Sequence, residues 1–247
     1  MFELDTIQHG LDNREFFLEY LPTMTLRERR CVGCEALIRW RHSNRVIPPL
    51  EFIPLIENTP LSGPVTYWVV DTVAHELGSW LREQKDVHVS INIPPGLLGH
   101  AGLVKAIAHS NLLDVIDQLV VEVTERGLPK KVGSVKSEKN SQRARVAMDD
   151  TAMTNASLVT LSQSSVDVVK MDKPFVDQIL RDDCSPEKKA TLSKLLQGKK
   201  HVIVAEGVET EEQAQHLREL GVDLAQGWLF SAPLRAADFK TFFAAHR

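Results

Sequence analysis

The sequence predicts an α/β fold in which strands and helices alternate to form a (β/α)8 barrel. Short apolar runs typical of buried strands are separated by amphipathic helical segments through most of the 247 residues. Several strands are nearly continuous apolar runs, as expected when both faces of a parallel sheet are covered. Connections are short, and no linker, repeat or low-complexity tract divides the sequence, so we predict one domain over residues 1–247. A doubly wound sheet is the alternative fold.

The N-terminal part supplies two predicted strands, at 15–22 and 30–41, which are joined by a polar turn at 26–30. A proline pair at 48–49 then opens a short helix. The segment 65–84 has apolar residues at the 3.6-residue spacing of a long helix.

From residue 87 onward, strand and helix patterns alternate regularly. The predicted strands lie at 87–92, 118–123, 144–149, 166–171, 201–205 and 223–226. The predicted helices lie at 96–109, 130–140, 155–162, 186–197, 211–220 and 235–245. Ser185 and Thr210 each precede acidic residues, which is the N-cap and acidic first turn expected at the start of a helix.

Composition restricts the class of protein. The net charge is −4 and the pI is about 6.1, so there is no global basic field to attract nucleic acid or an anionic membrane. No apolar stretch reaches the roughly 18 residues needed to span a bilayer. The first residues lack the basic region and apolar core of an export signal, so we expect a cytoplasmic location.

The three cysteines, Cys31, Cys34 and Cys184, are expected to be buried, reduced thiols with a packing role. Cys31 and Cys34 have the spacing of a zinc or redox pair. They lie within a predicted strand, however, where a separation of three residues directs side chains to opposite faces. No second cysteine pair or nearby histidine pair completes a site.

Metal-binding side chains stand at the ends of most predicted strands. They are Glu35, Asn92, Glu122, Asp149, Asp150 and Glu206. Lys170 adds a cation at a further strand end, and strand alternation directs Arg39 to the same side as Glu35. Because strand ends share one face of a parallel barrel, we expect these groups to converge. Oxygen ligands suit Mg²⁺ or Mn²⁺, and the nine histidines lack zinc-site spacing.

Each of these residues also has a purely structural explanation. The Asp149-Asp150 pair could cap the following helix, Glu206 could end a strand at a turn, and Lys170 could be a solvated surface lysine. Their joint occurrence at successive strand ends favours a functional site. Two divalent ions about 4 Å apart would suit in-line attack of hydroxide on a phosphodiester, with Arg39 and Lys170 balancing the transition-state charge.

The segment Glu35-Ala-Leu-Ile-Arg-Trp40 resembles the signature of the EAL domain family, the bacterial cyclic di-GMP phosphodiesterases. Further segments resemble family motifs in the family order, at 49–57, 122–125, 149–150, 169–172, 204–210 and 226–234. The resemblance extends from about residue 16 to residue 239. It implies a modified TIM barrel with an antiparallel first strand, and hydrolysis of cyclic di-GMP to linear pGpG in bacterial second-messenger signalling.

The resemblance also implies a role for each site residue. One Mg²⁺ or Mn²⁺ ion would be held by Glu35, Asn92, Glu122 and Asp149, and the second by Asp149, Asp150 and Glu206. Lys170 would hydrogen-bond the attacking water, and Glu206 would assist its deprotonation. Arg39 would bind a substrate phosphate, Glu209 and Gln226 would lie along the substrate groove, and Glu125 would anchor the loop after Asp150. Ca²⁺ is expected to inhibit.

The family context implies partners as well. We expect a homodimer that binds cyclic di-GMP, and this chain could be part of a longer, membrane-tethered protein with sensory or regulatory domains. The sequence departs from the family after Asp150, where Phe-Gly-Thr-Gly-Tyr-Ser is replaced by Thr151-Ala-Met-Thr-Asn-Ala156. The loss of both glycines predicts backbone strain or a different loop path.

Two smaller departures are Leu21, where the family has glutamine, and Pro94, where it has serine. These changes support an alternative function, a catalytically weak or inactive domain that acts as a cyclic di-GMP receptor or a protein-interaction module. The complete set of metal ligands and Lys170 favours the working phosphodiesterase.

Overall fold

The structure is a computed structural model that describes residues 2–124, 143–151, 153–180, 184–198 and 200–247. Nine strands occupy these ranges. They are β1 (Phe16–Thr25), β2 (Cys31–His42), β3 (Arg45–Ile47), β4 (His88–Asn92), β5 (Leu119–Thr124), β6 (Arg145–Thr151), β7 (Val168–Met171), β8 (Val202–Ala205) and β9 (Leu224–Ala225).

Eight of the nine strands close into a barrel in the order β1-β9-β8-β7-β6-β5-β4-β2, and pairing of β1 with β2 completes the ring. Strand β1 runs antiparallel to both of its neighbours. The other seven strands of the ring, β2 and β4 to β9, run parallel to one another. Strand β3 adds a short hairpin to β2. The predicted modified TIM barrel with an antiparallel first strand is therefore confirmed.

Helices cover the outside of the barrel. They are α1 (Leu4–Asp12), α2 (Pro49–Ile56), α3 (Ser62–Glu83), α4 (Ala101–His109), α5 (Asn155–Gln163), α6 (Lys173–Leu180), α7 (Pro186–Gly198), α8 (Glu211–Leu220) and α9 (Ala236–Ala245). Two 3₁₀ turns, Pro95–Leu97 and Leu113–Gln118, precede α4 and β5. None of the helices within the described ranges is long and apolar enough to cross a membrane.

Three observed elements, α1, β3 and α6, were not predicted. Proline usually breaks a helix, but Pro174 lies in the first turn of α6, where a backbone N–H would have no partner within the helix. The helix predicted over 96–109 is interrupted, because Gly99 adopts φ +77° between the 3₁₀ turn and α4. The helix predicted at 130–140 lies outside the described residues.

The hydrophobic core lies between the barrel and its helices. One large cluster joins β1, β2 and β4 to α3 and α9, and a second joins β6 to β8 with α5 to α8. Cys31, Cys34 and Cys184 are all buried, as predicted. Burial raises the pKa of the Cys31 thiol to about 11, so this thiol stays protonated and packs as an apolar group.

Candidate metal centre

Lys170 stands at the centre of the barrel and joins carboxylates from three other strands. Its ammonium nitrogen lies 2.8 Å from Glu35 Oε2, 2.8 Å from Glu122 Oε2 and 2.7 Å from Glu206 Oε1. Asp149 Oδ1 is 3.5 Å away. Glu122, Asp149 and Lys170 lie near the carboxyl ends of their strands, and Glu206 lies just beyond β8. Glu35 was predicted at a strand end but lies in the first half of β2, because β2 continues to His42; its register beside Ser90 of β4 brings it to the same cluster.

Asn92 completes this arrangement at the end of β4. Its side-chain amide donates a hydrogen bond to Glu35 Oε1 at 2.8 Å, so one carboxylate of the cluster is held from two sides. Asp150 follows Asp149 directly and turns outward with φ +51°. The structure thus groups Glu35, Asn92, Glu122, Asp149, Lys170 and Glu206, with Asp150 at their edge.

The electrostatics of the cluster follow from burial and from mutual repulsion. Lys170 is only 2% exposed, and burial alone would lower its pKa, but the surrounding carboxylates raise it well above the ordinary value. Burial raises the pKa of Glu122 well above normal, and the charges of Glu35 and Asp149 raise it further. Burial also raises the pKa of Glu206 to about 8. For Glu35, the charge and hydrogen bond of Lys170 outweigh burial and lower the pKa.

The donor set fits a hard divalent cation. Asp149, Asp150 and Glu206 each place one carboxylate oxygen within 4.8 Å of the others. Asp149 Oδ1 is buried and lacks a hydrogen-bond partner among the described residues. One lysine charge faces five carboxylates here, so additional positive charge would relieve the repulsion. The cluster could therefore bind a metal ion such as Mg²⁺ or Mn²⁺.

A cavity of about 400 Å³ opens beside the cluster. Its lining includes polar groups of Asn92, Glu122, Asp149 and Asp150. The rest of the lining is mostly apolar and includes Leu37, Leu50, Ile53, Val65, Pro94 and Pro95. A flat, weakly polar group could pack against the apolar lining while an anionic group reaches the cluster.

Three other predicted site residues have different partners. Arg39 Nε donates to Glu19 Oε2 at 2.8 Å, and Glu209 forms an ion pair with Lys173 at 3.2 Å. Gln226 is buried and donates to Thr23 Oγ1 at 3.0 Å. Among the described residues, no ion pair or hydrogen bond joins Arg39, Glu209 or Gln226 directly to the carboxylates around Lys170. Glu125, the predicted loop anchor, lies outside the described residues.

Asp172 is a site residue that we did not single out from the sequence. Its carboxylate accepts a hydrogen bond from the Phe175 backbone N–H at the start of α6. Its charge also contributes to a raised pKa of Asp150, for which burial is the larger cause. The available signal was its position two residues after Lys170, where β7 ends.

The connection after β6 shows how the chain accommodates the missing glycines. Met153 adopts φ +53°, a left-handed conformation that costs an unbranched residue about 1–2 kcal/mol. Its side chain is fully buried in the cluster that contains Met148 and Met171. Thr154 then caps α5 through a reciprocal capping box with Ser157. Thr154, at the second of the lost glycine positions, has an ordinary extended φ of −104°, and Ala152, at the first, lies outside the described residues. The left-handed conformation is found instead at Met153, where the family has threonine, and core packing holds that residue in place.

The fold and the cluster together define a class of protein: a (β/α)8 barrel with an acidic, potentially metal-binding centre at the carboxyl ends of its strands. The chain belongs to the EAL domain family, because the sequence pattern of the EAL domain matches residues 4–233.

Named relatives are cyclic di-GMP enzymes. The chain is 32% identical over 250 residues to the probable cyclic di-GMP phosphodiesterase PdeB of Escherichia coli K12, covering 97% of this chain and 47% of that protein. It is 28% identical over 240 residues to the bifunctional diguanylate cyclase/cyclic di-GMP phosphodiesterase MucR of Pseudomonas aeruginosa, covering 94% of this chain and 35% of that protein. The chain thus spans less than half the length of these curated relatives.

Solved structures with similar folds are EAL proteins as well. The EAL enzyme Bd1971 with bound cAMP and cyclic di-GMP superposes with a TM-score of 0.81 at 28% identity, covering 97% of this chain and 67% of that one. The PaMucR phosphodiesterase in complex with cyclic di-GMP gives a TM-score of 0.78 at 27% identity, covering 96% and 98% of the two chains.

Proposed function

We propose that this chain is a metal-dependent phosphodiesterase that hydrolyses cyclic di-GMP to linear pGpG. The observation that carries the proposal is the convergence of the Asp149, Asp150 and Glu206 carboxylates beside the Lys170 cluster. The adjoining cavity supports it, because its volume of about 400 Å³ and its many apolar lining residues suit a nucleobase. Relatives named as cyclic di-GMP phosphodiesterases and structures of EAL proteins bound to cyclic di-GMP support the choice of substrate.

The metal ligands divide into two sets. Glu35, Asn92, Glu122 and Asp149 are proposed to hold one Mg²⁺ or Mn²⁺ ion, and Asp149, Asp150 and Glu206 to hold the other. When bound, such ions lower the pKa of a coordinated water and neutralise phosphate charge. Ca²⁺, which prefers longer and more numerous oxygen contacts, is proposed to bind without supporting turnover.

The protein groups position the reactants. Lys170, already fixed by three carboxylates, can donate a hydrogen bond toward the attacking water, and Glu206 can accept the proton that this water loses. Arg39 is proposed to exchange its contact with Glu19 for a substrate phosphate. Glu209 and Gln226 are proposed to contact the nucleotide, and Glu125 to anchor the connection after Asp150.

Several broader features belong to the same proposal. The chain is proposed to act as one domain, in the cytoplasm, as a homodimer, and within a longer protein that carries sensory or regulatory domains. The partial coverage of the curated relatives supports that last point, because much of each relative lies outside the matched region.

A second candidate function is a cyclic di-GMP receptor that binds without hydrolysis. The observation that favours it is the left-handed Met153, which holds the backbone just after Asp150 in a strained conformation. If this connection keeps Asp150 from its productive position, the nucleotide would bind but would not be cleaved.

One experiment separates the two functions. The purified chain is incubated with cyclic di-GMP and Mn²⁺ or Mg²⁺, and pGpG is followed by chromatography beside a calorimetric titration in Ca²⁺. We expect turnover that falls at least about 10²-fold in Asp149→Asn, since a ligand is lost, and that is unchanged in the exposed control Glu212→Gln. Binding without turnover would support the receptor. The absence of both binding and turnover would exclude both functions.

A further inference from the structure

Trp228 is the one exposed aromatic side chain among the described residues. Its indole is 74% exposed, on the segment that follows β9. The other three tryptophans, Trp40, Trp68 and Trp80, pack against aromatic rings of the core. Because exposing a large aromatic ring to water is unfavourable, an isolated exposed tryptophan indicates a binding role more often than exposed leucine or valine does.

The backbone holds Trp228 in a fixed position. Gly227 adopts φ +151°, and a Cβ added there would lie 2.1 Å from the Val208 carbonyl oxygen, so only glycine fits. The N–H groups of Phe230 and Ser231 both donate to the Gly227 carbonyl. On either side, Val208 N–H donates to the Gln226 carbonyl and Leu229 N–H donates to the Val208 carbonyl. The indole is thus presented by an ordered turn, which lowers the entropy cost of binding.

This turn is joined to the metal centre. Val208, its hydrogen-bond partner, lies two residues after Glu206, a member of the carboxylate cluster. The 400 Å³ cavity is lined from β2, β4, β5 and β6, whereas Trp228 follows β9, beside β8. In the strand order of the ring, β8 and β9 lie opposite β4 and β5. Trp228 and the cavity therefore lie on opposite sides of the cluster.

We propose that Trp228 is the stacking surface for one guanine of cyclic di-GMP, while the other guanine enters the apolar cavity. The inference rests on the proposed function and adds a binding residue to it. Cyclic di-GMP carries its two guanines on either side of a central ring that contains both phosphodiesters. In an extended conformation of this ligand, with one phosphodiester at the cluster, the two bases lie on opposite sides, and an indole offers a flat surface for one of them.

The test measures cyclic di-GMP binding by calorimetry in Ca²⁺, and KM and kcat in Mn²⁺. We expect Trp228→Ala to raise Kd and KM by about 5- to 150-fold, the range for loss of one base–aromatic stack, with kcat changed by less than about threefold. Trp228→Phe should recover most of the affinity. Leu220→Ala serves as the control, because it removes an exposed apolar side chain at the C-terminal end of α8. It should leave Kd and KM unchanged.

Tryptophan fluorescence provides a second readout. Iodide should quench Trp228 in the free chain, and saturating cyclic di-GMP should protect it, because a stacked base covers the ring. A Kd for Trp228→Ala within twofold of the unaltered chain, with full iodide quenching in the complex, overturns the inference alone. If the unaltered chain itself gives no binding heat, the proposed function and this inference fall together.

Discussion

Two parts of the candidate centre are built in different ways. The strand-held part consists of Glu35, Glu122 and Asp149 around Lys170, whose ammonium nitrogen lies 2.8 Å from each glutamate and 3.5 Å from Asp149. The loop-held part, named for the connection that it leads into, runs from Asp150, at the irregular end of β6, to Thr154, and there Asp150 and Met153 both have positive φ. Parallel strands fix side chains through a ladder of hydrogen bonds, whereas a connection depends on the particular residues that form it.

This difference explains why the chain can keep its site while its loop sequence diverges. The strand-held carboxylates and Lys170 depend on one another, because removing any of them leaves buried charge unbalanced. The loop-held part has a buried Met153 side chain in place of the family threonine and a Thr154 cap in place of the second glycine, and both stabilise the backbone by other means. We therefore expect large effects from changes in the first part and smaller effects from changes in the second.

The largest expected effect comes from Lys170→Met. The change leaves four carboxylates around an uncharged side chain, and we expect the free energy of unfolding to fall by about 3–5 kcal/mol in the presence of EDTA. Mn²⁺ should restore part of that loss, since it supplies the missing charge. Denaturant titration with and without Mn²⁺ measures both values.

Lys173→Met is the matched control, because Lys173 is 42% exposed and pairs with Asp177 and Glu209 near the surface. It should change the free energy of unfolding by no more than about 1 kcal/mol. Equal losses in the two variants would show that the buried cluster is not distinct from a surface ion pair.

An intermediate effect is expected from Met153→Gly. Glycine removes about 1–2 kcal/mol of left-handed strain but also removes a buried side chain worth about 2–5 kcal/mol. The net loss of stability should therefore lie between about 0 and about 4 kcal/mol, measured as a shift of the denaturation midpoint. Met153→Leu, which preserves the buried volume, should lose less than about 1.5 kcal/mol. Greater stability of the glycine variant than of the unaltered chain would mean that Met153 packing does not hold the connection.

The smallest effect on stability is expected from Asp150→Asn. Asp150 is exposed as a residue, although partial burial of its carboxyl group and the neighbouring carboxylates raise its pKa. Removing its charge should therefore change the free energy of unfolding by less than about 0.5 kcal/mol. The increase in melting temperature produced by Mn²⁺ should nevertheless fall, because a ligand is lost. Asp238→Asn on α9 is the exposed control and should keep the full Mn²⁺ response. A full response in Asp150→Asn would remove Asp150 from the ligand set.

The sequence allowed the barrel to be predicted because its strands are apolar runs separated by periodic helices. The parallel strands β4 to β8 fall within a few residues of their predicted positions. The elements that were not predicted are short. Helix α1 has apolar residues at helical spacing, Leu4, Ile7 and Leu11, but it is only nine residues long, and β3 is three residues long, so each gives too short a pattern to be singled out.

The candidate site could be predicted at the level of its members but not of their contacts. The strand-end rule places Glu122 and Glu206 on one face, but Glu35 lies in the first half of β2, and the rule does not reveal that Lys170 touches all three. Two of these contacts cross the barrel interior, because Glu35 on β2 and Glu122 on β5 belong to strands that do not pair with β7 in the ring. Likewise, the burial of Gln226 against Thr23 depends on the pairing of β1 with β9, which sequence periodicity does not encode.

The most direct test of the account is a comparison of kcat for pGpG formation in saturating Mn²⁺ across three chains. These are the unaltered chain, Asp149→Asn, and a variant with a family-like connection, which combines Ala152→Gly, Met153→Thr and Thr154→Gly. We predict that the unaltered chain turns over, that the family-like variant stays within about tenfold of it, and that Asp149→Asn is at least about 10²-fold slower. The result that would contradict this account is an inactive unaltered chain together with an active family-like variant. It would mean that the connection after Asp150, and not the strand-held cluster, decides whether the chain hydrolyses cyclic di-GMP.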